Sequence, residues 1–539
     1  MKLHAVWVAV KFPGLICFLL LSLWLAVGTA RAQTVTTQTA IQAALLARQS
    51  SQPVDTPTDP VFDFYAARGF APAWTGSSAA EDAGVAVLFT LAHADRHGLR
   101  PQEYGEASSR WDSPPPEGVE AAAYELNLTT DLLHYANDVR QGRVRPSQVY
   151  KDVVLPIRIF DFAISLNRAL KAHGIEVFLA DLPPQQPEYQ GLVMALASYR
   201  RLAENGGWPP ISGKGEIALA PNGKDERLRA LILRLALEDP LLASSDLGPE
   251  EVRAAVMRFQ ARNGINADGR VSVSTLTALN TPVTTRIAQI IANMERWRWM
   301  PRSLESRYIR VNVPDQAAEF VVDGDVALQS RAIVGRLASK TPITRMMAGQ
   351  LVVNPPWHVP DDIAAASILP KLRASPNYLA TRNMVLVDGP ADDPHGLKID
   401  WRKVKAMPYM VDQNPGADSA MGVLMLDSPN DFGVYLHDTP GKALFKADMR
   451  LKSNGCIRVE QMIPMASLIL TGDAQGDQVQ TAIASGETQR LRLETQLPIY
   501  LVYWTAIAAA DGRVGFRPDL YARDKPLIAA LAAPRRPAS

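Results

Sequence analysis

The chain has 539 residues, and its 56 Lys plus Arg stand against 55 Asp plus Glu for a formal net charge of +1. That balance lacks the basic footprint of a nucleic-acid partner, and the length suits roughly three domains of ~150 residues with cores of their own. Two cysteines, Cys17 and Cys456, are too few for a disulfide-stapled scaffold.

The first segment is an export leader by pattern. Lys2 and Lys11 precede an apolar stretch from Leu15 to Val27, and Ala30-Arg31-Ala32 supplies the small residues a signal peptidase reads. The stretch is shorter than the roughly 20 apolar residues needed to cross a bilayer, so residues 1–32 read as a signal peptide, with an uncleaved membrane anchor as the alternative. Cleavage removes Cys17 and leaves Cys456 as a lone thiol in an oxidising compartment. An intramolecular disulfide is then excluded. A buried apolar filler, an intermolecular bridge and a reactive nucleophile all stay open for Cys456.

Residues 33–60, rich in Thr, Gln, Ser and Pro, read as a flexible start to the mature chain. Residues 61–224 carry helical patterns. "AAAYELNLTTDLLHYANDVRQGRVRP" spaces Leu126, Leu133 and Val139 at helical intervals before Gly142 and Pro146, and Leu192, Leu196 and Tyr199 repeat the pattern before Gly206-Gly207. This region reads as a scaffold. Its histidines, His93, His97, His134 and His173, are scattered singly and do not suggest a metal site.

In residues 225–282, Pro249 suits a first helical position, Glu250 and Glu251 suit the positive end of the helix dipole, and Val252, Val256 and Phe259 share a face. A second short helix carries Leu276 and Leu279. The physics alone predicts a small helical domain without assigning a ligand. Its "FQARNGI", "DGRV" and "TLTALN" segments closely resemble the peptidoglycan-binding domain, a three-helix module, and imply a glycan-peptide target.

Residues 283–305 form a linker helix, with Ile287, Ile290, Ile291 and Met294 toward a core and "RWRW" at its end packing between domains. From about residue 306 the period becomes two: Ile309, Val311 and Val313 alternate with polar neighbours, and Asp323-Gly324 marks a hairpin turn. The unit 306–525 is therefore β-rich. Residues 361–420 break the alternation and read as an inserted capping subdomain, and 526–539 as a tail. The expected architecture is α+β and multidomain.

The chemistry concentrates in "NDFGVYLHDTPGKALFKADMRLKSNGCIRVE". Alternation puts Tyr435 and His437 on one strand face, with His437 at a strand end. Nineteen residues later Cys456 follows Gly455, and the apolar run "VEQMIPMASLIL" predicts a helix whose start lies at or just after the cysteine. A helix start favours a thiolate, a neighbouring imidazole takes a proton, and Gly455 allows close backbone approach. These are the parts of acyl transfer. Spacing alone leaves a buried, inert cysteine equally open.

The stretch from His437 to Arg458 resembles the signature of the YkuD-type L,D-transpeptidase catalytic domain, a histidine followed somewhat under twenty residues later by Ser-x-Gly-Cys-x-Arg. "FYAARGFAPAW", "NMERWRWMP", "NPPWHVP", "VYLHDTP", "SNGCIRVE" and "FRPDLYARD" follow in the order seen in large Gram-negative enzymes of the YcbB type. The resemblance implies Cys456 as nucleophile, His437 as base, Gly455 and Cys456 N–H groups as oxyanion hole, and Ser453 and Arg458 as shapers of the motif loop. It further implies that Arg458 meets a substrate carboxylate and that Tyr435, Trp357 and Asn454 line the pocket. Asn454 stands where such enzymes often have histidine. A backbone carbonyl often orients the histidine in these enzymes, and Asp438 reads as a solvated side chain.

The resemblance also implies a periplasmic transferase that forms 3→3 peptidoglycan cross-links through a Cys456 thioester, releasing D-alanine from a tetrapeptide stem. Its implied partners are stem peptides, glycan strands and other cell-wall synthesis proteins, and carbapenems are expected to acylate Cys456. No cofactor or metal is expected, since His358, His395 and His437 lack ligand spacing. The alternatives are an L,D-carboxypeptidase or endopeptidase using the same residues, and a non-catalytic peptidoglycan-binding protein.

Overall fold

The computed structural model describes residues 35–51, 59–105, 113–156, 160–213, 215–217, 219, 225–242, 248–470 and 476–535. The leader, residues 1–32, lies outside them. Residues 33–60 are not simply loose: Thr37–Ser50 is a helix, α1, whose N-cap Thr36 accepts the Thr39 amide. Its Ala40, Ile41 and Leu45 are buried while Gln38, Thr39, Gln42 and Gln49 are exposed, so a polar composition concealed an amphipathic face.

Helix α1 packs on α2, Val119–Gln141, which buries Leu128, Leu132, Tyr135 and Val139. Leu126 and Leu133, expected on the buried face, are only partly covered. A short strand, β1, Val153–Val154, leaves this helical region to join the large sheet of the C-terminal half. Helix α3, Pro187–Glu204, buries Leu192, Leu196 and Tyr199 as its spacing predicts. A separate small core, including Leu231, Val252, Val256, Phe259, Leu276 and Leu279, holds α4, Pro249–Arg262, and α5, Val273–Leu279.

Helix α6, Val283–Arg298, is the hub between these units. Trp297 stacks on Trp504 with centroids 4.3 Å apart, and Trp299 Nε1 donates to the Val144 carbonyl at 2.9 Å. Arg298 is buried against Glu295 at 2.7 Å, and Arg296 against Asp524 at 2.7 Å. Asp524 begins α8, Asp524–Ala532, in which Leu527 is fully buried; α7 is the helix Met462–Leu470. The expected tail from 526 is therefore a packed helix, tied further by Arg535 to Asp138 at 2.8 Å.

The β-rich region from residue 306 is a closed β-barrel. In chain order its strands are β2 Arg307–Asn312, β3 Ala317–Val322, β4 Asp325–Gly335, β5 Ile343–Val353, β9 Leu424–Asp427, β10 Leu436–His437, β12 Ile457–Val459 and β13 Gln489–Val502. Around the barrel they run β5-β13-β2-β3-β4-β12-β10-β9, and β9 pairs back onto β5. Closure removes the free edges of a sheet. Strand β1 adds to β5, pairing Val153 with Ile343 and Val154 with Thr344, and β11, Leu451–Ser453, adds to β4. Strands β14, Ala506–Ala508, and β15, Val514–Phe516, form a separate hairpin. Alternation divides the side chains: Ile309, Val311, Ile499 and Leu501 join the core containing α7, while Tyr308, Tyr500 and Val502 face α3 and α6.

Between β5 and β9 the chain leaves the barrel. Strands β6, Trp357–Val359, β7, Met384–Leu386, and β8, Val411–Gln413, form a three-stranded sheet in the order β6-β8-β7. With short helices it encloses Ile368, Leu372, Leu379 and Trp401. The inserted subdomain thus has its own core and begins at Trp357, because β6 pairs with β8.

Candidate active site

Strands β10 and β12 run parallel, with Leu436 opposite Ile457 and His437 opposite Arg458. The Ile457 amide donates to the Tyr435 carbonyl at 2.9 Å, extending the ladder so that Tyr435 neighbours Cys456. Leu436 and Ile457 point into the apolar core. Period-two alternation then puts Tyr435, His437, Cys456 and Arg458 together on the opposite face.

His437 is buried, with Nδ1 2.6 Å from the Asp438 carbonyl oxygen. A carbonyl only accepts, so Nδ1 carries the proton and Nε2 keeps its lone pair. Burial, reinforced by the Arg458 charge, pushes the imidazole pKa down to about 4 against the pull of the Asp438 and Met421 carbonyls. His437 is a neutral base at neutral pH. The Asp438 carboxylate is not solvated as expected: it is buried, paired with Lys442 Nζ at 2.6 Å and accepts the Val423 amide at 3.1 Å.

Cys456 is partly exposed and leads into a strand rather than a helix. The β-branched Ile457 and Val459 alternate into the core, and α7 starts only at Met462. No helix dipole therefore acts on the sulfur. Its surroundings raise the thiol pKa by burial, opposed by the Tyr435 and Cys456 amides and by Arg458. Sγ lies 3.9 Å from the Gly433 carbonyl, and among the described residues no hydrogen bond joins it to His437.

The turn between β11 and β12 is tightly braced. Gly455 has φ +117°, a conformation that favours glycine, and a Cβ there would sit 3.3 Å from Val434 Cγ1. Buried Ser453 donates from Oγ to the Cys456 carbonyl at 2.6 Å and accepts the Gly455 amide at 3.2 Å. The Gly455 N–H, expected to hold an oxyanion, is thus occupied, and the amides facing the sulfur are those of Tyr435 and Cys456. Asn454 is exposed at the tip of the turn.

Arg458 has no ion pair among the described residues, and its Nε is buried without a hydrogen-bond partner. Trp357 packs on the core of the inserted subdomain. His358 is exposed and hydrogen-bonds Asp412 at 2.9 Å, and His395 bonds the Met384 carbonyl at 2.8 Å. Sequence reasoning missed Thr341, Gly335, Tyr521 and Gly422, which brace the site from behind. Tyr521 lies in the "FRPDLYARD" segment but carried no role there, and Gly335 and Gly422 offered only the signal of glycine beside a strand end, shared with any turn.

Residues 306–480 match the family model described as "L,D-transpeptidase catalytic domain", 59–196 that of the "Scaffold domain" and 244–279 that of the "Putative peptidoglycan binding domain". The barrel thus lies within the segment that matches the catalytic domain of L,D-transpeptidases. The segments matching the other two models precede it in the chain. A "Putative L,D-transpeptidase" of Haemophilus influenzae is 33% identical over 251 residues, covering 46% of this chain and 50% of that protein. The chain thus spans about half the length of this curated relative. Solved structures also match, among them the following two. An L,D-transpeptidase from Stackebrandtia nassauensis is 11% identical with a TM-score of 0.22, over 55% of this chain and 96% of that one. The "Ldtfm-avibactam carbamoyl enzyme" is 14% identical with a TM-score of 0.20, over 48% and 81%.

Proposed function

We propose that this protein is an L,D-transpeptidase of the cell envelope that forms 3→3 cross-links in peptidoglycan, acting in the periplasm. The observation that carries the reading is the β10–β12 register, which presents a thiol, a neutral imidazole and an unpaired guanidinium on one face. Among the described residues no helix is long and apolar enough to cross a membrane.

His437 Nε2 takes the Cys456 proton as the sulfur attacks the carbonyl between the third stem residue and the terminal D-alanine. The amides of Cys456 and Tyr435 receive the oxyanion. Collapse expels D-alanine, protonated by His437, and leaves a thioester; an amine of a second stem, deprotonated by His437, attacks it and frees the thiol. Arg458 pairs with a donor carboxylate. Because thiol and imidazole are both neutral at rest, the thiolate forms in the presence of substrate. Carbapenems acylate the same sulfur through their strained carbonyl.

Mass spectrometry of the protein incubated with disaccharide-tetrapeptide, beside Cys456→Ala, tests the reading. A Cys456-dependent dimer lacking one D-alanine supports it. Tripeptide monomer alone makes the protein a carboxypeptidase, and equal product from both proteins removes Cys456 from the chemistry.

A further inference from the structure

Behind the nucleophile turn lies a buried polar cluster that belongs to neither strand of the site. Thr341, fully buried in the β4–β5 connection, donates from Oγ1 to the Gly455 carbonyl at 2.8 Å and accepts the Gly335 amide at 2.9 Å. These roles are unambiguous: an amide only donates and a carbonyl only accepts, so the hydroxyl proton points at Gly455. The Tyr521 hydroxyl donates to the Gly335 carbonyl at 2.6 Å and accepts the Thr341 amide at 3.3 Å. Gly335 has no room for a side chain, since a Cβ would meet the Ser339 carbonyl oxygen at 2.1 Å.

The Gly455–Cys456 peptide is planar and trans, so its carbonyl and its N–H point in opposite directions. Holding the carbonyl inward on Thr341 turns the Cys456 N–H outward, to the side of the sulfur. Glycine at φ +117° could otherwise rotate this peptide at little steric cost. We infer that Thr341 is a positioning residue for acyl transfer, which aims the Cys456 amide at the developing oxyanion by anchoring the other end of the same peptide, with Tyr521 holding Thr341 in place. The inference rests on Cys456 being the nucleophile.

Tyr521 carries the brace further. Its amide donates to the Tyr503 hydroxyl at 2.7 Å, and Arg523 packs over the rings of Tyr150, Tyr503 and Tyr521 while pairing with Asp152. Asp152 directly precedes β1, the strand that the helical region adds to the barrel. The aim of the catalytic amide is thus tied to a contact between domains.

The test separates reactions that build an oxyanion from one that does not. Alkylation by iodoacetamide consumes the thiol without forming an oxyanion; carbapenem acylation and cross-linking both form one. Thr341→Val, close in shape, is expected to lower kcat and the carbapenem acylation rate about a hundredfold, with KM changed less than about threefold and alkylation less than about twofold. Thr341→Ser, which restores the hydroxyl, is expected within about fivefold of the parent. Unchanged kcat in Thr341→Val overturns the inference, and so does a parallel loss of alkylation and melting temperature, which marks a structural role only. Where Thr341→Val does not fold, Tyr521→Phe decides: about a tenfold loss of kcat with normal alkylation supports the inference, and unchanged kcat overturns it. Product formed by Cys456→Ala would instead mark failure of the nucleophile assignment.

Discussion

His437 and Arg458 are partners across neighbouring parallel strands, and the guanidinium so placed helps burial keep the imidazole neutral. Removing that charge in Arg458→Gln relaxes the effect, so the His437 pKa rises and the acid limb of kcat/KM moves to higher pH. If Arg458 pairs with a donor carboxylate as proposed, the same variant is expected to raise KM about tenfold. Rate–pH profiles of parent and variant check both effects.

Burial works against a thiolate–imidazolium pair in the resting site. Burial raises the Cys456 pKa and lowers that of His437 to about 4. Alkylation of Cys456 by iodoacetamide is therefore expected to climb steadily from pH 7 to 10, with no plateau near neutrality. A low-pH plateau in the alkylation profile would show the ion pair to be preformed.

Acid stability depends on the same burial. An unfolded histidine takes its proton near pH 6.5, whereas folded His437 takes it only near 4. Between these values the unfolded state binds more protons, so stability falls as pH falls, by up to about 1.4 kcal/mol per pH unit from this group. His437→Gln, which cannot take the proton, is expected to flatten the dependence of melting temperature on pH in that window.

Gly422 backs the carboxylate next to the base. Its φ is +64°, and a Cβ there would lie 2.5 Å from Asp438 Oδ2. Gly422→Ala is expected to destabilise by about 2 kcal/mol and to lower activity by displacing the carbonyl that orients His437. Denaturant unfolding, with activity measured alongside, checks this.

The C-terminal helix α8 completes a buried ion pair. Ending the chain before Asp524 leaves Arg296 buried without its partner, a loss expected to cost about 3–5 kcal/mol. Thermal melting of the shortened chain measures it.

Motif and period made much of this protein legible beforehand. Ile309 and Val311 alternate as strand residues, Asp323-Gly324 turns the hairpin with positive φ at both positions, and Val252, Val256 and Phe259 share a buried face. Errors arose where composition stood in for pattern. The Gln- and Thr-rich start hid the apolar side of α1, and the Ala- and Pro-rich end hid Leu527.

At the site, the local sequence by itself determined which residues share a face, because the side-chain alternation of a strand is set by backbone geometry. Tyr435 and His437 needed no fold to be grouped, whereas Cys456 and Arg458 share a face only because a strand holds them. It did not determine which element Cys456 leads into: the run to Leu470 contains both a strand and a helix, and barrel pairing selected β12 before α7 began. Tertiary structure alone decided that the Asp438 carbonyl holds His437, that Ser453 occupies the Gly455 amide, and that Thr341 anchors its carbonyl from 114 residues away in the chain. Those contacts are buried hydrogen bonds, mostly to main-chain atoms that every residue possesses. The sequence carries no mark of them until folding brings the strands together and burial requires each polar group to find a partner.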